Sequence, residues 1–310
     1  MKVLICVSGN AANYSFERTQ VFVYEQIEAV KRIDETAEYA VFAVRQKGPK
    51  GYLAEVKRLK QLIMEYRPAI VHAHCGPVGA MAVLQRRVPV ITTFHGSDVN
   101  NPKIRVLSIF VSLFSRCSIF VSEGLKAKMP VRGRHSVVLP CGVDTDIFHP
   151  RSLEECKERM GIPMDEKYVL FASAFDNAIK NAPLAQQVMS HFPQLRLREI
   201  KNRSREEVAF LIGGAELVLM TSHSEGSPQI IKEAVACGQK VVSVDVGDVK
   251  EQLAGLEDCA VVASDEKELV DAVAKVLDTP HRDSSVVPER FDNRCIAVKL
   301  NEIYKKINKN

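Results

Sequence analysis

Two glutamates, at positions 225 and 233, flank the start of a predicted helix in the C-terminal half of the chain. Ser227 is a natural N-cap residue for this helix, and Pro228 suits its first position. The free backbone N–H groups of the first turn would then form a binding site for an anion. Glu225, before the cap, could point at a bound hydroxyl group, and Glu233, further into the helix, could reach a second hydroxyl pair such as that of a ribose. The alternative interpretation is two solvated acids beside a helix start.

The hydrophobic pattern predicts the elements that must hold these glutamates. Short apolar or β-branched runs alternate with amphipathic stretches, which is typical of a doubly wound α/β sheet. Several runs are apolar throughout, as expected for parallel strands that are covered on both faces. We predict strands at residues 2–7, 39–44, 69–73, 88–93, 118–121, 136–139, 167–172, 195–200, 216–221, 240–244 and 260–263. We predict helices at residues 17–32, 52–66, 78–85, 182–191, 205–211, 228–237 and 266–277.

The pattern restarts after Pro150, where proline and a polar turn interrupt it. We therefore predict two Rossmann-like α/β domains, residues 1–150 and 151–292, that face each other across a cleft where the ligand binds. A final amphipathic helix, about 293–307, carries an apolar stripe. We expect this helix to pack back on the first domain.

The composition is that of an ordinary globular protein. The chain has 310 residues, of which 46% are hydrophobic and 26% charged, so two cores can be buried. No run of about 18 apolar residues occurs, and the apolar stretch at the start is too short for a signal peptide. The eight cysteines form no Cys-x-x-Cys pair, which favours reduced thiols and argues against a zinc site. We expect a cytoplasmic protein.

The net charge of +4 conceals an asymmetry between the two halves. Residues 1–150 carry 20 Lys+Arg and 12 Asp+Glu, a net charge of +8. Residues 151–310 carry 22 and 26, a net charge of −4. The basic half could attract an anionic partner, such as a phosphorylated substrate or the inner face of the cell membrane, in a peripheral contact. A solvated surface without a partner is the alternative.

Several segments together resemble the motifs of family 4 glycosyltransferases, which have the GT-B fold. The glutamates at 225 and 233 are similar to the Glu-x7-Glu motif of that family. The other matching segments are IVHAH at 70–74, TTFHGSD at 92–98, VSE at 121–123, PCGVD at 140–144 and VGDVKE at 246–251. The segments FVYEQ at 22–26 and KGYL at 50–53 are most similar to the branch that assembles bacterial surface polysaccharides, the teichuronic-acid type included.

This resemblance implies a role for each matching residue on the donor side. Glu225 would face the hydroxyls of the donor sugar, Glu233 would bind the ribose, and Lys180 would bind the diphosphate. A positive charge suits that position, because the leaving nucleoside diphosphate gains negative charge as the glycosidic bond breaks. The predicted donor-binding residues are Gly9, Asn10, Lys180, Glu225, Gly226, Ser227, Pro228, Gln229 and Glu233.

His95 and Asp98 are the candidates on the acceptor side. His95 matches a family histidine that contacts the donor sugar near the reacting centre. A lone histidine at a strand end is more often structural, but here a flexible glycine and an acid follow at the carboxyl edge of a sheet. The predicted catalytic residues are therefore His95, Lys180 and Glu225, whereas His72 and His74 are interpreted as structural.

The chain departs from the family pattern in two places. Many members carry an arginine five residues before the phosphate-binding lysine, where this chain has Phe175. Arg203 or Arg205 could supply that charge instead. The glycine pair after the first strand is replaced by a single Gly9, which still allows the backbone to approach a phosphate closely. The longer polar loop that follows, within residues 9–16, would shape the acceptor site.

The resemblance implies a retaining, metal-independent hexosyltransferase. Such an enzyme moves a sugar from a nucleoside diphosphate, UDP foremost, to a hydroxyl of a glycan, lipid-linked or small-molecule acceptor, here in the synthesis of cell-surface polysaccharide. No cofactor is expected. The alternative, motivated by Phe175, is a non-catalytic sugar-nucleotide-binding subunit that supports a partner transferase.

Missing motifs exclude other functions of Rossmann-like chains. No G-x-G-x-x-G sequence follows the first strand of either half, which argues against a nicotinamide dehydrogenase. No P-loop sequence occurs. The basic segments lack interleaved aromatic residues, so nucleic-acid binding is not expected.

Overall fold

The computed structural model describes residues 1–11, 14–282 and 287–309. These residues form two compact units, each described here by itself. The first comprises Met1–Gly142 and the C-terminal segment from Asn293, and the second comprises Val143–Asp292. The first unit therefore ends before the predicted boundary at Pro150. Since Val143 and Phe148 are fully buried in the core of the second unit, the segment after Gly142 packs with that unit.

The first unit contains a six-stranded sheet in which all neighbouring strands are parallel. The strand order is β2-β1-β3-β4-β5-β6. Three of its four interior strands, β3, β4 and β5, are buried at every residue, which fits a parallel sheet covered on both faces. The strands are β1 (Lys2–Ser8), β2 (Glu38–Val44), β3 (Ile70–His74), β4 (Val90–Phe94), β5 (Cys117–Phe120) and β6 (Ser136–Val138).

Helices connect these strands, and several of them differ from the prediction, since the helices Ser97–Asn100, Pro102–Phe114 and Glu123–Ala127 are not predicted. The helix predicted at 17–32 is interrupted at Gln20, whose side-chain amide donates a hydrogen bond to Ser8 O at the end of β1 (3.0 Å). The helix α6 is not predicted, because serines interrupt its apolar pattern. The helices of this unit are α1 (Phe16–Thr19), α2 (Val21–Ile33), α3 (Gly48–Tyr66), α4 (Gly76–Val83), α5 (Ser97–Asn100), α6 (Pro102–Phe114), α7 (Glu123–Ala127) and α14 (Asn293–Asn308).

The second unit contains a five-stranded parallel sheet with the order β11-β10-β9-β7-β8. The strands are β7 (Tyr168–Phe171), β8 (Arg196–Glu199), β9 (Leu217–Met220), β10 (Val241–Val244) and β11 (Cys259–Val262). The helices are α8 (Leu153–Met160), α9 (Ala182–Ser190), α10 (Arg205–Gly213), α11 (Gln229–Ala236), α12 (Val249–Gln252) and α13 (Glu266–Asp278). Two parallel-sheet, Rossmann-like α/β domains are therefore present, and this part of the fold prediction is confirmed.

The C-terminal helix α14 completes the core of the first unit. Its apolar stripe, which includes Ile296, Leu300 and Tyr304, is buried against α2 and the strands of that sheet. The Asn293 side chain donates to Glu25 O on α2 at 3.3 Å. Helix α14 therefore belongs to the same core as the first strand.

Among the described residues, no helix is both long enough and apolar enough to cross a bilayer. All eight cysteines are free thiols.

Candidate active site

The predicted donor residues of the second unit lie at the point where the strand order of its sheet reverses. From β7 the chain continues to β8 on one side, and the later strands β9, β10 and β11 lie on the other side. Ligands bind at such a switch point, outside the carboxyl ends of the strands. Lys180 follows β7 and Glu225 follows β9, so both side chains come from the two loops that border it.

The loop that carries Lys180 is fixed to the end of β9. It contains a 3₁₀ turn, Ala178–Lys180, which the side chain of Asn177 caps. The Thr221 hydroxyl donates to the carbonyl oxygens of Lys180 (3.1 Å) and Asn181 (2.9 Å). The backbone N–H of His223 donates to Ile179 O at 2.9 Å. These bonds hold the lysine beside the segment that contains Glu225.

Lys180 and Glu225 form an ion pair. The ammonium nitrogen Nζ lies 2.6 Å from Oε1 of Glu225, and both side chains are mostly buried. A charge-assisted hydrogen bond of this kind is strong where water is partly excluded. The structure thus brings together two residues that the sequence separates by 45 positions.

Glu233 is held by an arginine rather than exposed to solvent. Arg205, the first residue of α10, donates from Nη2 to Oε1 of Glu233 at 2.6 Å. The Glu233 side chain is 3% exposed. The guanidinium of Arg205 also lies over the ring of Phe148, 4.5 Å from its centroid. Arg205 therefore places a positive charge beside the predicted ribose carboxylate.

Ser227 and Pro228 are placed differently from the prediction at the start of α11. Pro228 occupies the N-cap position with extended backbone, and the helix begins at Gln229. The Ser227 hydroxyl donates to Oδ2 of Asp248 (2.9 Å) instead of capping the helix. Gln252 donates to the other oxygen of that carboxylate at 2.6 Å, and burial raises the pKa of Asp248. Asp248 and Gln252 therefore position Ser227, which sequence reasoning missed.

Gly247 explains why the segment VGDVKE lies next to the glutamate loop. Its φ of +61° is in the left-handed region, which favours glycine. A Cβ at this position would lie 3.0 Å from Gly226 O and 3.2 Å from Cβ of Glu225. Both the backbone conformation and the available space therefore require glycine beside Glu225 and Gly226.

Phe175, the residue found where the family arginine is expected, faces the protein interior. Its ring packs against Phe171, with 5.4 Å between the ring centroids, and against the core between the sheet and α9. Of the two arginines suggested as replacements, Arg203 pairs with Glu207 on the surface. Arg205 is the one that lies at the candidate site.

In the first unit, the strand order reverses between β1 and β3, and Gly9 and Asn10 follow β1. A Cβ on Gly9 would lie 2.6 Å from Cβ of Ala43, so packing against β2 also requires a glycine here. Asn10 accepts a hydrogen bond from the Ser8 hydroxyl at 3.3 Å. Phosphate binding by Gly9 and Asn10 stays a prediction. Residues 12 and 13 of the predicted acceptor loop lie outside the described residues.

His95 follows β4 and contacts a second histidine at the end of β3. Its Nε2 lies 3.1 Å from Nδ1 of His74, and the two rings are stacked. Nδ1 of His95 lies 3.9 Å from Sγ of Cys141. Burial lowers the pKa of His74 well below its usual value, so His74 is neutral at pH 7. The contact of His95 with a sugar stays a prediction.

Asp98 holds the turn that carries His95. Its carboxylate accepts hydrogen bonds from the backbone N–H groups of His95 (3.2 Å), Gly96 (2.9 Å) and Gly76 (3.0 Å). The residue is 1% exposed, and burial raises the pKa of its carboxyl group. These contacts position the loops after β3 and β4, whereas the predicted acceptor contact stays a prediction.

His72 is a buried histidine with both ring nitrogens bonded. Nδ1 lies 2.6 Å from the Tyr304 hydroxyl on α14, and Nε2 lies 2.7 Å from the Thr93 hydroxyl. Burial lowers the pKa of His72 to about 3. This arrangement is the structural role that the sequence favours for His72.

Two family models match the chain, one in each unit. Residues 4–147 match Glycosyltransferase Family 4, and residues 196–290 match Glycosyl transferases group 1. The second match contains Arg205, Glu225 and Glu233, whereas Lys180 lies outside both.

Curated relatives are similar at low identity. TuaC of Bacillus subtilis (strain 168), described as a teichuronic acid biosynthesis glycosyltransferase, is 24% identical over 63% of this chain and 57% of its own length. D-inositol 3-phosphate glycosyltransferase of Mycolicibacterium smegmatis is 26% identical over 67% of this chain and 59% of its own length. The chain thus spans less than two thirds of the length of these relatives.

Solved structures show the same fold. Sucrose-phosphate synthase from Thermosynechococcus elongatus is 17% identical and superimposes with a TM-score of 0.84, covering 99% of both chains. Anabaena Alr3699/HepE in complex with UDP-glucose is 15% identical, with a TM-score of 0.76 over 99% of this chain and 100% of that chain. The GT-B prediction for the fold is confirmed.

Proposed function

We propose that this protein is a retaining glycosyltransferase that uses a nucleoside-diphosphate sugar as donor. The observation that carries the proposal is the pair of cation–carboxylate contacts, Lys180 with Glu225 and Arg205 with Glu233, at the switch point of the second sheet. The match to Glycosyl transferases group 1 over residues 196–290 supports it. Anabaena HepE, a structure of the same fold, holds UDP-glucose, and a UDP-sugar is the donor we propose here.

In this proposal the side chains of the second unit bind the donor and stabilise the leaving group. Glu225 accepts hydrogen bonds from sugar hydroxyls, and Glu233 accepts them from the ribose. A carboxylate has about four acceptor positions, so each can bind a hydroxyl while its cation stays in place. Lys180 and the N–H groups at the start of α11 face the diphosphate, where negative charge accumulates as the glycosidic bond breaks.

The reaction needs no resident metal in this proposal, because Lys180 and the helix start supply positive charge to the diphosphate. The departing phosphate deprotonates the acceptor hydroxyl on the same face of the sugar, which retains the anomeric configuration. Activity that EDTA abolishes, and that Mg²⁺ or Mn²⁺ restores, would contradict this part.

The acceptor that we propose is anionic, or is carried by an anionic lipid, in the synthesis of a surface polysaccharide. The net charge of +8 on residues 1–150 supports this choice. The names of two relatives refer to anionic compounds, teichuronic acid and inositol 3-phosphate.

Thermal unfolding with UDP, GDP and ADP tests donor binding directly. Free nucleotide at 100 times its Kd stabilises the folded chain by about 2.7 kcal/mol, so the matching nucleotide raises the unfolding temperature. A donor screen that detects nucleotide release then tests transfer. Stabilisation without release from any donor and acceptor would favour the sugar-nucleotide-binding subunit that Phe175 motivates. No stabilisation by any nucleotide at millimolar concentration would contradict both functions.

A further inference from the structure

The helix α6 in the first unit exposes a row of large apolar side chains. Its outward face carries Val106, Leu107, Phe110, Leu113 and Phe114, with 38–69% of each side chain exposed. The spacing of 106, 110, 113 and 114 places them on one stripe. Phe110 and Phe114 contact each other, with 4.5 Å between their ring centroids.

The inward face of α6 carries two small polar residues beside the buried Val111. Ser108 and Ser112 are completely buried. The Ser108 hydroxyl donates to Asp98 O at 2.8 Å, and that of Ser112 lies 2.8 Å from the hydroxyl of Ser118 on β5. A Cβ on Gly79 of α4 would lie 2.6 Å from Cγ1 of Val111. The helix thus packs closely on α4 through Val111, while its larger apolar side chains at 106, 110, 113 and 114 are exposed.

Basic side chains border one end of this apolar stripe. Arg86, Arg87 and Arg116 line an open depression of about 480 Å³, and Phe114 forms part of its wall. The guanidinium of Arg86 lies 5.8 Å from the centroid of the Phe114 ring. Within the described ranges, none of these three arginines forms an ion pair with a carboxylate.

Acidic residues are nearly absent from the surrounding sequence. Between positions 66 and 143 the acidic residues are Asp98 and Glu123, and Asp98 is buried with backbone N–H partners. The basic residues of the same segment are Arg67, Arg86, Arg87, Lys103, Arg105, Arg116, Lys126, Lys128, Arg132 and Arg134. These residues give the segment a net charge of +8, as large as that of the whole N-terminal half.

We propose that the exposed face of α6, with Arg86, Arg87 and Arg116, docks on the surface of an anionic lipid bilayer. An apolar stripe bordered by basic residues inserts at the boundary of head groups and acyl chains, while the guanidinium groups bind lipid phosphates. Neither signal alone gives stable binding, but the two together do.

Charge favours a bilayer over a second copy of the chain as the occupant. A symmetric dimer would bury the same patch on both subunits. The arginines of one copy would then approach the like-charged patch of the other, without carboxylates to pair with them. In an anionic bilayer, lipid phosphates can instead pair with each guanidinium group, and the acyl chains can bury the apolar stripe.

Vesicle sedimentation with the full chain, without nucleotide, tests this proposal. We expect binding to vesicles of phosphatidylglycerol and phosphatidylcholine at 50 mM NaCl, and at least tenfold weaker binding at 500 mM NaCl or to phosphatidylcholine alone.

The variant Phe110→Glu/Leu113→Glu should lose at least tenfold in affinity for these vesicles. The variant Arg86→Gln/Arg87→Gln/Arg116→Gln should also lose at least tenfold in affinity at 50 mM NaCl, because the apolar stripe alone does not give stable binding. Met164→Glu, an exposed apolar residue of the second unit, is the matched control and should bind like the wild type.

Absence of vesicle binding by the folded wild-type chain would overturn the proposal. Binding that the α6 variants retain would also overturn it, because another surface would be responsible. A concentration-dependent dimer that Phe110→Glu/Leu113→Glu abolishes, without lipid binding, would assign the surface to a second copy. Because the assay contains neither donor nor acceptor, its failure is distinct from failure of the proposed transferase activity.

Discussion

The guanidinium of Arg205 lies 2.6 Å from the carboxylate of Glu233, whose side chain is almost completely buried. The contact joins the start of α10 to α11, and it neutralises the carboxylate that we assign to the ribose. A buried carboxylate without a partner is strongly destabilising, so Arg205 should stabilise the fold by pairing with Glu233.

Removing only the cation of this pair should destabilise the protein. We expect Arg205→Ala to lower the free energy of unfolding by about 1–3 kcal/mol, less than for a fully buried pair because solvent screens Arg205. The double variant Arg205→Met/Glu233→Gln should recover most of the loss, since no charge remains unpaired. Urea unfolding followed by circular dichroism measures both. Arg203→Ala, which removes an exposed partner of Glu207, is the control and should leave the free energy of unfolding nearly unchanged. Equal effects of the two single variants would show that Glu233 does not depend on Arg205.

Removing the Lys180 side chain should lower kcat more than it lowers the free energy of unfolding. Its ammonium is partly exposed and pairs with Glu225, and in the proposed reaction it stabilises the leaving diphosphate. We expect Lys180→Ala to lower kcat by about 100-fold or more, as the loss of one oxyanion donor does. Nucleotide release from the matching donor is the measurement. Lys275→Ala on α13 removes an exposed lysine of the same unit and should leave kcat unchanged. Turnover of Lys180→Ala within a few-fold of wild type would exclude Lys180 from the mechanism.

Replacing Gly247 by alanine separates two effects at the donor site, the backbone strain of a positive φ and the steric contact of the new methyl group. Both Gly247→Ala and Gly161→Ala place alanine at a φ near +60°, which costs about 1–2 kcal/mol in each case. Only at Gly247 would the new methyl group also meet Gly226 O and Glu225, since nothing lies within 4 Å of a Cβ on Gly161. We therefore expect both variants to lose stability, and only Gly247→Ala to raise the KM for the donor. Donor kinetics that are identical in the two variants would contradict this assignment.

The stability of the first unit should fall in mild acid. Burial lowers the pKa of His72 to about 3 and shifts that of His74 in the same direction. Below about pH 6.5 the unfolded chain binds protons that the folded chain does not, so the free energy of unfolding falls as pH falls. Each histidine contributes a slope of up to about 1.4 kcal/mol per pH unit.

The unfolding temperature between pH 7.5 and 5.5 measures this effect. The groups that face these two histidines are His95, Tyr304 and Thr93. Burial also lowers the pKa of His281 in the second unit, so His72→Gln isolates the contribution of the first unit and should flatten the curve. His191→Gln, which alters an exposed histidine, should not flatten it. An unfolding temperature that is independent of pH over this range would contradict the prediction.

Local pattern was sufficient to find the strands, because fully buried parallel strands are continuous apolar runs. It failed for α6, where Ser108 and Ser112 interrupt an apolar stretch. Their hydroxyls are satisfied inside the fold by Asp98 O and Ser118, partners that periodicity does not reveal.

In the candidate site, too, local sequence patterns locate some residues, but they do not reveal contacts with residues that are distant in the sequence. The positions of Glu225 and Glu233 follow from a motif, whereas the role of Ser227 depends on Asp248, which lies 21 residues away. The ion pair between Arg205 and Glu233 could not be predicted from the sequence either. The contact of His74 with His95 could have been predicted from the sequence, since both residues lie at the carboxyl ends of the neighbouring strands β3 and β4.

The place of α14 in the first unit constrains the order in which the chain can fold during synthesis. The strand residues 2–138 leave the ribosome early, but the partner of His72 is Tyr304, near the end of the chain. All residues of the second unit precede α14, so that unit can be complete while the first sheet still exposes the apolar surface that Leu300 and Tyr304 cover. The N-terminal unit, although its strands are translated first, thus cannot complete its core until α14 has been synthesised.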